Sequence, residues 1–283
     1  MTKETEKQGT IDDLIKIINK TRETFNYEIF IPSLQKKVMF REINTAQQKR
    51  LVKAIIDSPA YNTEFIFALQ QIIKENCVDN SININELTIY DKMIISLIMR
   101  SVSIGDIITM TLKSAKEDKT FTRELKLKEL VEKVVNEIKI ESTTIADDLN
   151  MFTVDCSLPT IGEEYEMESQ LHKNNKNVEI NTDNELRETI GSVFINEIVK
   201  YIKNITIKNK ENDELTIIDL KQLDFKNRIK VIESLPSKLI NKIIDYIGLI
   251  NKEFEKILLV KVDNNGENLE WRLKIDSSFF MRS

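Results

Sequence analysis

The sequence predicts a mostly helical α+β protein, and two observations carry this prediction. Apolar residues recur at helical spacing in several segments, while other stretches alternate apolar and polar residues as strands do. The chain also holds only 6 glycines and 4 prolines in 283 residues, too few for a β-sandwich with many tight turns. We expect a small β-rich unit near residues 104–161 and a C-terminal unit of helices plus a β-hairpin.

The N-terminal third predicts an arm, a hairpin and three helices. Residues 11–24 have amphipathic spacing, so residues 1–25 are predicted to form an N-terminal helical arm. Asn44 or Thr45 precedes a glutamine by three residues, and Thr88 precedes Asp91 by three, which is the spacing of a capping box. With two extended runs around Pro32, these signals predict a hairpin plus three-helix unit over residues 26–103.

The middle of the chain is predicted to contain two segments of different composition and structure. Residues 104–162 form the small β-rich unit, because the runs 107–112, 120–125 and 151–158 read as strands around one helix. Residues 163–185 are rich in acidic side chains and poor in apolar ones. Such a composition predicts a solvated acidic linker with a partly helical start.

Residues 186–283 are predicted to form a C-terminal α+β domain. Helical spacing covers 186–204, 225–234 and 236–251. A strand–turn–strand follows, with its turn at residues 263–266.

Two adjacent phenylalanines stand three residues from the end of the sequence, where side chains are usually polar. Phe279 and Phe280 follow a strand that contains Trp271. Burial of each phenylalanine ring is worth roughly 1.5–3 kcal/mol, so the pair is expected to be covered. Two arrangements are open: the rings fold back into the body of the chain, or they insert into a partner. We therefore predict Phe279, Phe280 and Trp271 as candidate interaction residues, with the N-terminal helix, the acidic linker and the strand edges of the two β units as further candidate surfaces.

Residue types that common catalytic and metal sites require are scarce. His172 is the only histidine, and Cys77 and Cys156 lie far apart in sequence. This set does not supply the ligands of standard zinc sites or a positioned imidazole. Neither a Walker-type loop nor a G-x-G-x-x-G motif occurs. We therefore predict no enzymatic activity, no catalytic residue, no metal site and no cofactor.

Charge and hydropathy narrow the range of partners. The 41 basic and 46 acidic residues give a net charge of −5, opposite to the basic surplus of nucleic-acid binders. No apolar run reaches the ~18 residues of a membrane-spanning helix. The sequence thus predicts protein partners, no nucleic acid and no membrane span.

Three patches resemble a family of phage proteins. These are residues 30–41 with the following Gln47-Gln48-Lys49, residues 90–106, and residues 275–280. These patches, and the order of the elements between them, resemble the baseplate hub assembly proteins of T4-type contractile-tailed bacteriophages.

The resemblance implies a non-enzymatic structural or chaperone-like assembly protein of the tail baseplate hub. Its partners would be other phage tail or baseplate proteins, with a second copy of this chain as a further option. It would act in the host cytoplasm during assembly, and retention in the virion tail is left open. The alternative function is a phage regulatory subunit that binds a polymerase or nucleic-acid complex, which salt-dependent retention on DNA would reveal.

Overall fold

The computed structural model describes residues 10–22, 24–57, 63–114, 119–175, 194–264, 266–276 and 278–281. Within them, helices alternate with short antiparallel strands, which confirms the α+β fold class. The N-terminal elements, in order, are α1 (Ile11–Arg22), β1 (Asn26–Ile31), β2 (Lys36–Arg41), α2 (Thr45–Asp57), α3 (Thr63–Asn76) and α4 (Ile89–Ser103).

Two capping boxes fix the starts of α2 and α4, as their sequence spacing predicts. The backbone N–H of Gln47 donates to Asn44 Oδ1 at 2.7 Å, and that of Asn44 donates to Gln47 Oε1 at 3.0 Å. The same reciprocal pair joins Thr88 and Asp91 at 3.1 and 2.8 Å. Each box satisfies backbone donors that a helix end leaves free.

The remaining elements run from the middle of the chain to its C-terminal part. They are β3 (Ile107–Ser114), β4 (Lys119–Lys126), α5 (Leu127–Glu137), β5 (Thr143–Ala146), β6 (Phe152–Cys156), α6 (Ile161–Asn175), α7 (described at residues 194–199), β7 (Ile202–Lys208), β8 (Leu215–Asp219), α8 (Phe225–Glu233), α9 (Ser237–Leu258), β9 (Leu259–Asn264) and β10 (Glu267–Arg272). The strands form three hairpins, β1–β2, β3–β4 and β9–β10, and one antiparallel sheet in the order β5-β6-β7-β8.

The predicted helix over residues 186–204 is wrong at its C-terminal end. Residues 186–193 lie outside the described part of the chain, residues 194–199 are helical, and β7 begins at Ile202. Ile202 and Ile205 are both buried and fit helical spacing, but β7 pairs with β6 on one side and β8 on the other. Strands β5, β7 and β8 were not predicted from the sequence.

The predicted acidic linker over residues 163–185 begins, as expected, with helix, and this helix is longer and more firmly packed than a linker requires. Residues 161–175 form helix α6, while residues 176–185 lie outside the described part. The acids of α6 meet cations from distant elements: Glu163 pairs with Lys203, Glu164 with Lys92, and Glu166 with Arg228. Because these charges are neutralised by partners, α6 packs against the rest of the protein and is not a solvent-exposed linker.

Two hydrophobic cores organise the described residues. The first core joins hairpin β1–β2 and helices α2–α5 with the chain after α9, and the second joins the inner face of the four-stranded sheet with α7, α8 and the start of α9. Helix α6 bridges them, because Ile161 lies in the first core and Met167 in the second. Helix α9 does the same through Ile257 and Ile243.

These cores do not follow the predicted unit boundaries. Within residues 104–162, Ile108 of β3 belongs to the first core and Val154 of β6 to the second. Within residues 186–283, α7, α8 and the start of α9 pack in the second core, but the end of α9, Leu273 and the two phenylalanines pack in the first. The reason is that the sheet holding β6 is completed by β7 and β8, beyond α6.

Candidate interaction site

The C-terminal phenylalanines fold back into the first core. Phe279 is 4% exposed and Phe280 is fully buried. Their rings meet edge to face at 5.1 Å between centroids, and the Phe280 ring lies 6.2 Å from that of Phe65 on α3. Of the two arrangements open from the sequence, the structure therefore has the first, and neither ring faces a partner in this conformation.

Polar side chains of α2 and α4 hydrogen-bond to the backbone of the C-terminal tail, by which we mean residues 278–281. Buried Arg100 donates from Nε to the Phe279 carbonyl oxygen at 3.0 Å, and its guanidinium lies 5.8 Å from the centre of the Phe279 ring. Gln48 Nε2 donates to the Phe280 carbonyl oxygen at 2.7 Å. Burial lowers the pKa of Arg100, and nearby Asp106 opposes that shift. The tail is thus fastened by its backbone as well as by its rings.

Trp271 of β10 is the predicted interaction residue that reaches the surface. It is half-buried against the first core. It lines a cavity of about 540 Å³ together with Arg100, Thr109, Phe279 and Met281. The structure therefore brings Trp271 next to Phe279, but only the indole remains in reach of solvent.

Helix α1 carries the most exposed apolar surface of the described chain. We define the α1 stripe as its five apolar side chains, which are between 50% and 76% exposed: Ile11, Leu14, Ile15, Ile17 and Ile18. Thr10 caps the helix, accepting a hydrogen bond from the Asp13 backbone N–H at 3.2 Å. Amphipathic helices normally bury such a stripe against a core. No described residue of this chain covers it, which makes the α1 stripe a candidate interaction surface. The sequence predicted the helix, but its periodicity does not show that the apolar side would be left uncovered.

A second exposed surface is the β8 edge. Strand β8 lies at the end of the four-stranded sheet and pairs only with β7 among the described strands. Leu215 and Ile217 point to the same face and are 60% and 67% exposed. Exposed edges with apolar side chains invite pairing with another strand.

A groove separates two helix–strand pairs near the first core. We define the α5–α9 groove as the space of about 840 Å³ between α5 with β4 and α9 with β9. Half-buried apolar residues line it, and lysines and glutamates surround them. The apolar residues are Leu125, Leu130, Leu259 and Val260.

The histidine and the two cysteines are not among the residues that form the α1 stripe, the β8 edge or the α5–α9 groove. His172 is on α6 with its Nε2 3.6 Å from Glu64 Oε1. Burial raises the pKa of Cys156 to about 12, and it also raises the pKa of Cys77. Over the described residues, no cluster of three or more histidine, cysteine, aspartate or glutamate side chains is arranged to hold a metal. Nor is any described helix long and apolar enough to cross a membrane.

Comparison with known proteins identifies the family. A family model described as T4 bacteriophage base plate protein matches residues 23–281, from the start of the first hairpin through the buried phenylalanines. Helix α1 precedes the matched region. No curated protein and no solved structure was found to match. Because the family model covers nearly the whole chain, this protein belongs to the T4 bacteriophage base plate protein family.

Proposed function

We propose that this baseplate protein is a non-enzymatic component of the tail hub that acts in hub assembly, in a structural or chaperone-like role. The family match supports a place in the phage tail baseplate and tail proteins as partners. The resemblance of residues 30–41, 90–106 and 275–280 to hub assembly proteins supports the narrower role. Host cytoplasm is the proposed site of action before the tail is complete.

The single observation that carries this proposal is the uncovered α1 stripe. Five large apolar side chains on one face of a short helix form a ready contact for a groove on another protein. A structural or assembly factor acts by binding other proteins, and the α1 stripe offers it a surface for doing so. The folded remainder of the chain holds that helix in place. Phe279 and Phe280 contribute to that support by joining the end of the chain to α3 and α4.

The proposal is tested by capturing partners from infected cells with the full-length tagged protein. Leu14→Asp combined with Ile18→Asp places two charges in the α1 stripe without touching either core. The matched control, Lys16→Gln, changes the polar face of the same helix. We expect the double variant to lose baseplate proteins that the wild type and the control retain. Equal recovery of baseplate proteins by all three would contradict a role for the stripe, and recovery of no tail protein would contradict the hub role.

A second experiment addresses the regulatory alternative. The wild type is passed over immobilised double-stranded DNA at low and moderate salt. Because the net charge is −5, we expect no salt-dependent retention. Retention that falls steeply with salt would favour the nucleic-acid reading.

A further inference from the structure

We propose that the cavity between β10 and the C-terminal tail binds a carboxylate side chain of another protein, presented on a segment with apolar neighbours. This Trp271 cavity has a volume of about 540 Å³. Pockets that bind small ligands usually have volumes of ~300–1,000 Å³. The inference concerns a surface separate from the α1 stripe and does not depend on the hub role.

Cations line the Trp271 cavity, and no acidic side chain is among its lining residues. Buried Arg100 of α4 contributes one positive charge, and the exposed side chains of Arg272 and Lys274 contribute two more. Arg272 Nη1 lies 3.5 Å from Glu255 Oε1, so part of its charge is shared outside the cavity. The remaining surplus of positive charge favours an anionic ligand.

Arg100 is the cation that lies deepest in the protein. Only 3% of this residue is exposed. Its Nε donates to the Phe279 carbonyl oxygen at 3.0 Å, and its Nη1 donates to the carbonyl oxygen of Gly105. These bonds fasten the tail and the end of α4. Both acceptors are neutral, so the bonds leave the positive charge without a counter-charge.

A comparison with Arg228 shows what Arg100 lacks. Arg228, also buried, donates to the Glu166 carboxylate at 3.0 Å. Among the described residues Arg100 has no such carboxylate, and its Nη2 donates to none of their atoms. Asp106 acts on Arg100 from beyond ion-pair distance, and its Oδ1 already accepts a hydrogen bond from Ser101 Oγ at 2.8 Å. Because an uncompensated buried charge costs free energy, the guanidinium is suited to accept a carboxylate, which it binds through strong charge-assisted hydrogen bonds.

The walls of the cavity favour a carboxylate that belongs to a protein. Apolar side chains supply half of the lining residues, including Trp271, Phe279 and the exposed Met281. A partly buried indole of this kind is a common anchor in protein interfaces. After β10, the backbone N–H of Lys274 makes no hydrogen bond with any described residue, so it is free to donate to a partner's backbone. A free phosphate would use the cations but leave the apolar walls in water.

Trp271 supplies the assay, because it is the only tryptophan in the sequence. The full-length protein is titrated with the blocked tripeptide leucine–glutamate–phenylalanine while its tryptophan emission is followed. The matched probe has glutamine in place of glutamate. We expect the glutamate peptide to change the emission saturably and to bind roughly tenfold or more tightly than the glutamine peptide, as hydrogen bonds to a charged group imply.

Three variants locate the contact. Lys274→Glu reverses an exposed charge at the cavity and should weaken binding of the glutamate peptide roughly three- to tenfold. Its control, Lys252→Glu, makes the same charge change on α9 outside the cavity and should bind as the wild type does. Arg100→Lys removes the Nη2 donor and should reduce the preference for glutamate over glutamine. Because Arg100 also fastens the tail, its binding is interpreted only if its melting temperature matches that of the wild type, and otherwise Lys274→Glu decides.

Four results would overturn the inference. Equal binding of the two peptides would show a cavity that recognises apolar side chains without the anion. No saturable change in emission with either peptide would show that the cavity does not bind them. Wild-type binding by Lys274→Glu would place the peptide elsewhere. Displacement of the glutamate peptide by inorganic phosphate, at concentrations where acetate has no effect, would indicate a phosphate site. None of these results bears on capture of baseplate proteins through the α1 stripe, so the proposed function would stand.

Discussion

Truncation of the Phe280 ring gives the sharpest test of how the C-terminal tail is anchored. In Phe280→Ala the fully buried ring is lost, together with its edge-to-face contact to Phe279 and its contact to Phe65. Removal of a buried phenylalanine costs ~3–5 kcal/mol, since transfer and cavity terms add. For a chain of 283 residues that corresponds to a fall of roughly 5–8 °C in melting temperature. The hydrogen bond from Gln48 reaches the backbone and should survive.

Thermal unfolding followed by circular dichroism measures this effect. Phe25→Ala is the matched control, because the Phe25 ring is 61% exposed and its removal should change stability by less than ~0.5 kcal/mol. Phe280→Leu retains most of the apolar surface and should fall between the two. If Phe280→Ala and Phe25→Ala melt at the same temperature as the wild type, the tail does not belong to the first core.

Three other predictions concern charged groups and thiols. Hydrogen bonds from Arg50 hold the pKa of Glu75 at about 2, below its ordinary 4.5. The ionised carboxylate therefore stabilises the fold above about pH 5, and this stabilisation is lost as the pH falls towards 2. Unfolding measured across this range should show the stability difference between the wild type and Glu75→Gln shrinking as the pH falls. Replacing buried Arg228 by Met removes donors to the Leu223 carbonyl at 2.9 Å and to Glu166, so urea unfolding should show a loss of about 1–3 kcal/mol. Because burial raises the pKa of Cys156 to about 12, mass spectrometry after treatment with a thiol reagent near pH 8 should find it modified only once the protein unfolds, and rapid labelling of the native state would show that its site is open.

Local signals were enough to predict much of the first half of the fold. The starts of α2 and α4 depend on side chains three residues apart, so their capping boxes are visible in the sequence. Hairpin β3–β4 is likewise predictable, because the strands are neighbours and β3 alternates exposed and buried residues along its length. Such features need no knowledge of distant parts of the chain.

The elements that were missed depend on distant partners. The acidic residues of α6 suggested solvent, but Lys92, Lys203 and Arg228, which neutralise them, come from three separate elements. The destination of Phe280 is equally non-local: its neighbour Phe65 and the Gln48 donor lie in the N-terminal half. Periodicity indicates that a ring is buried, but it does not tell which core receives it. For the same reason the sequence offered the tail, the N-terminal helix, the acidic segment and the strand edges together as candidate surfaces, and only the structure shows that the tail is buried while α1 and the β8 edge are exposed.

The central claim is that a baseplate protein makes its assembly contact through α1. Cross-linking mass spectrometry of baseplate intermediates and purified tails tests it most directly, because Lys16 and Lys20 place amine-reactive groups on the polar side of this helix. We predict cross-links from Lys16 and Lys20 to another protein chain of these assemblies. The claim would be contradicted if the protein were found in these assemblies with both α1 lysines linked only within their own chain.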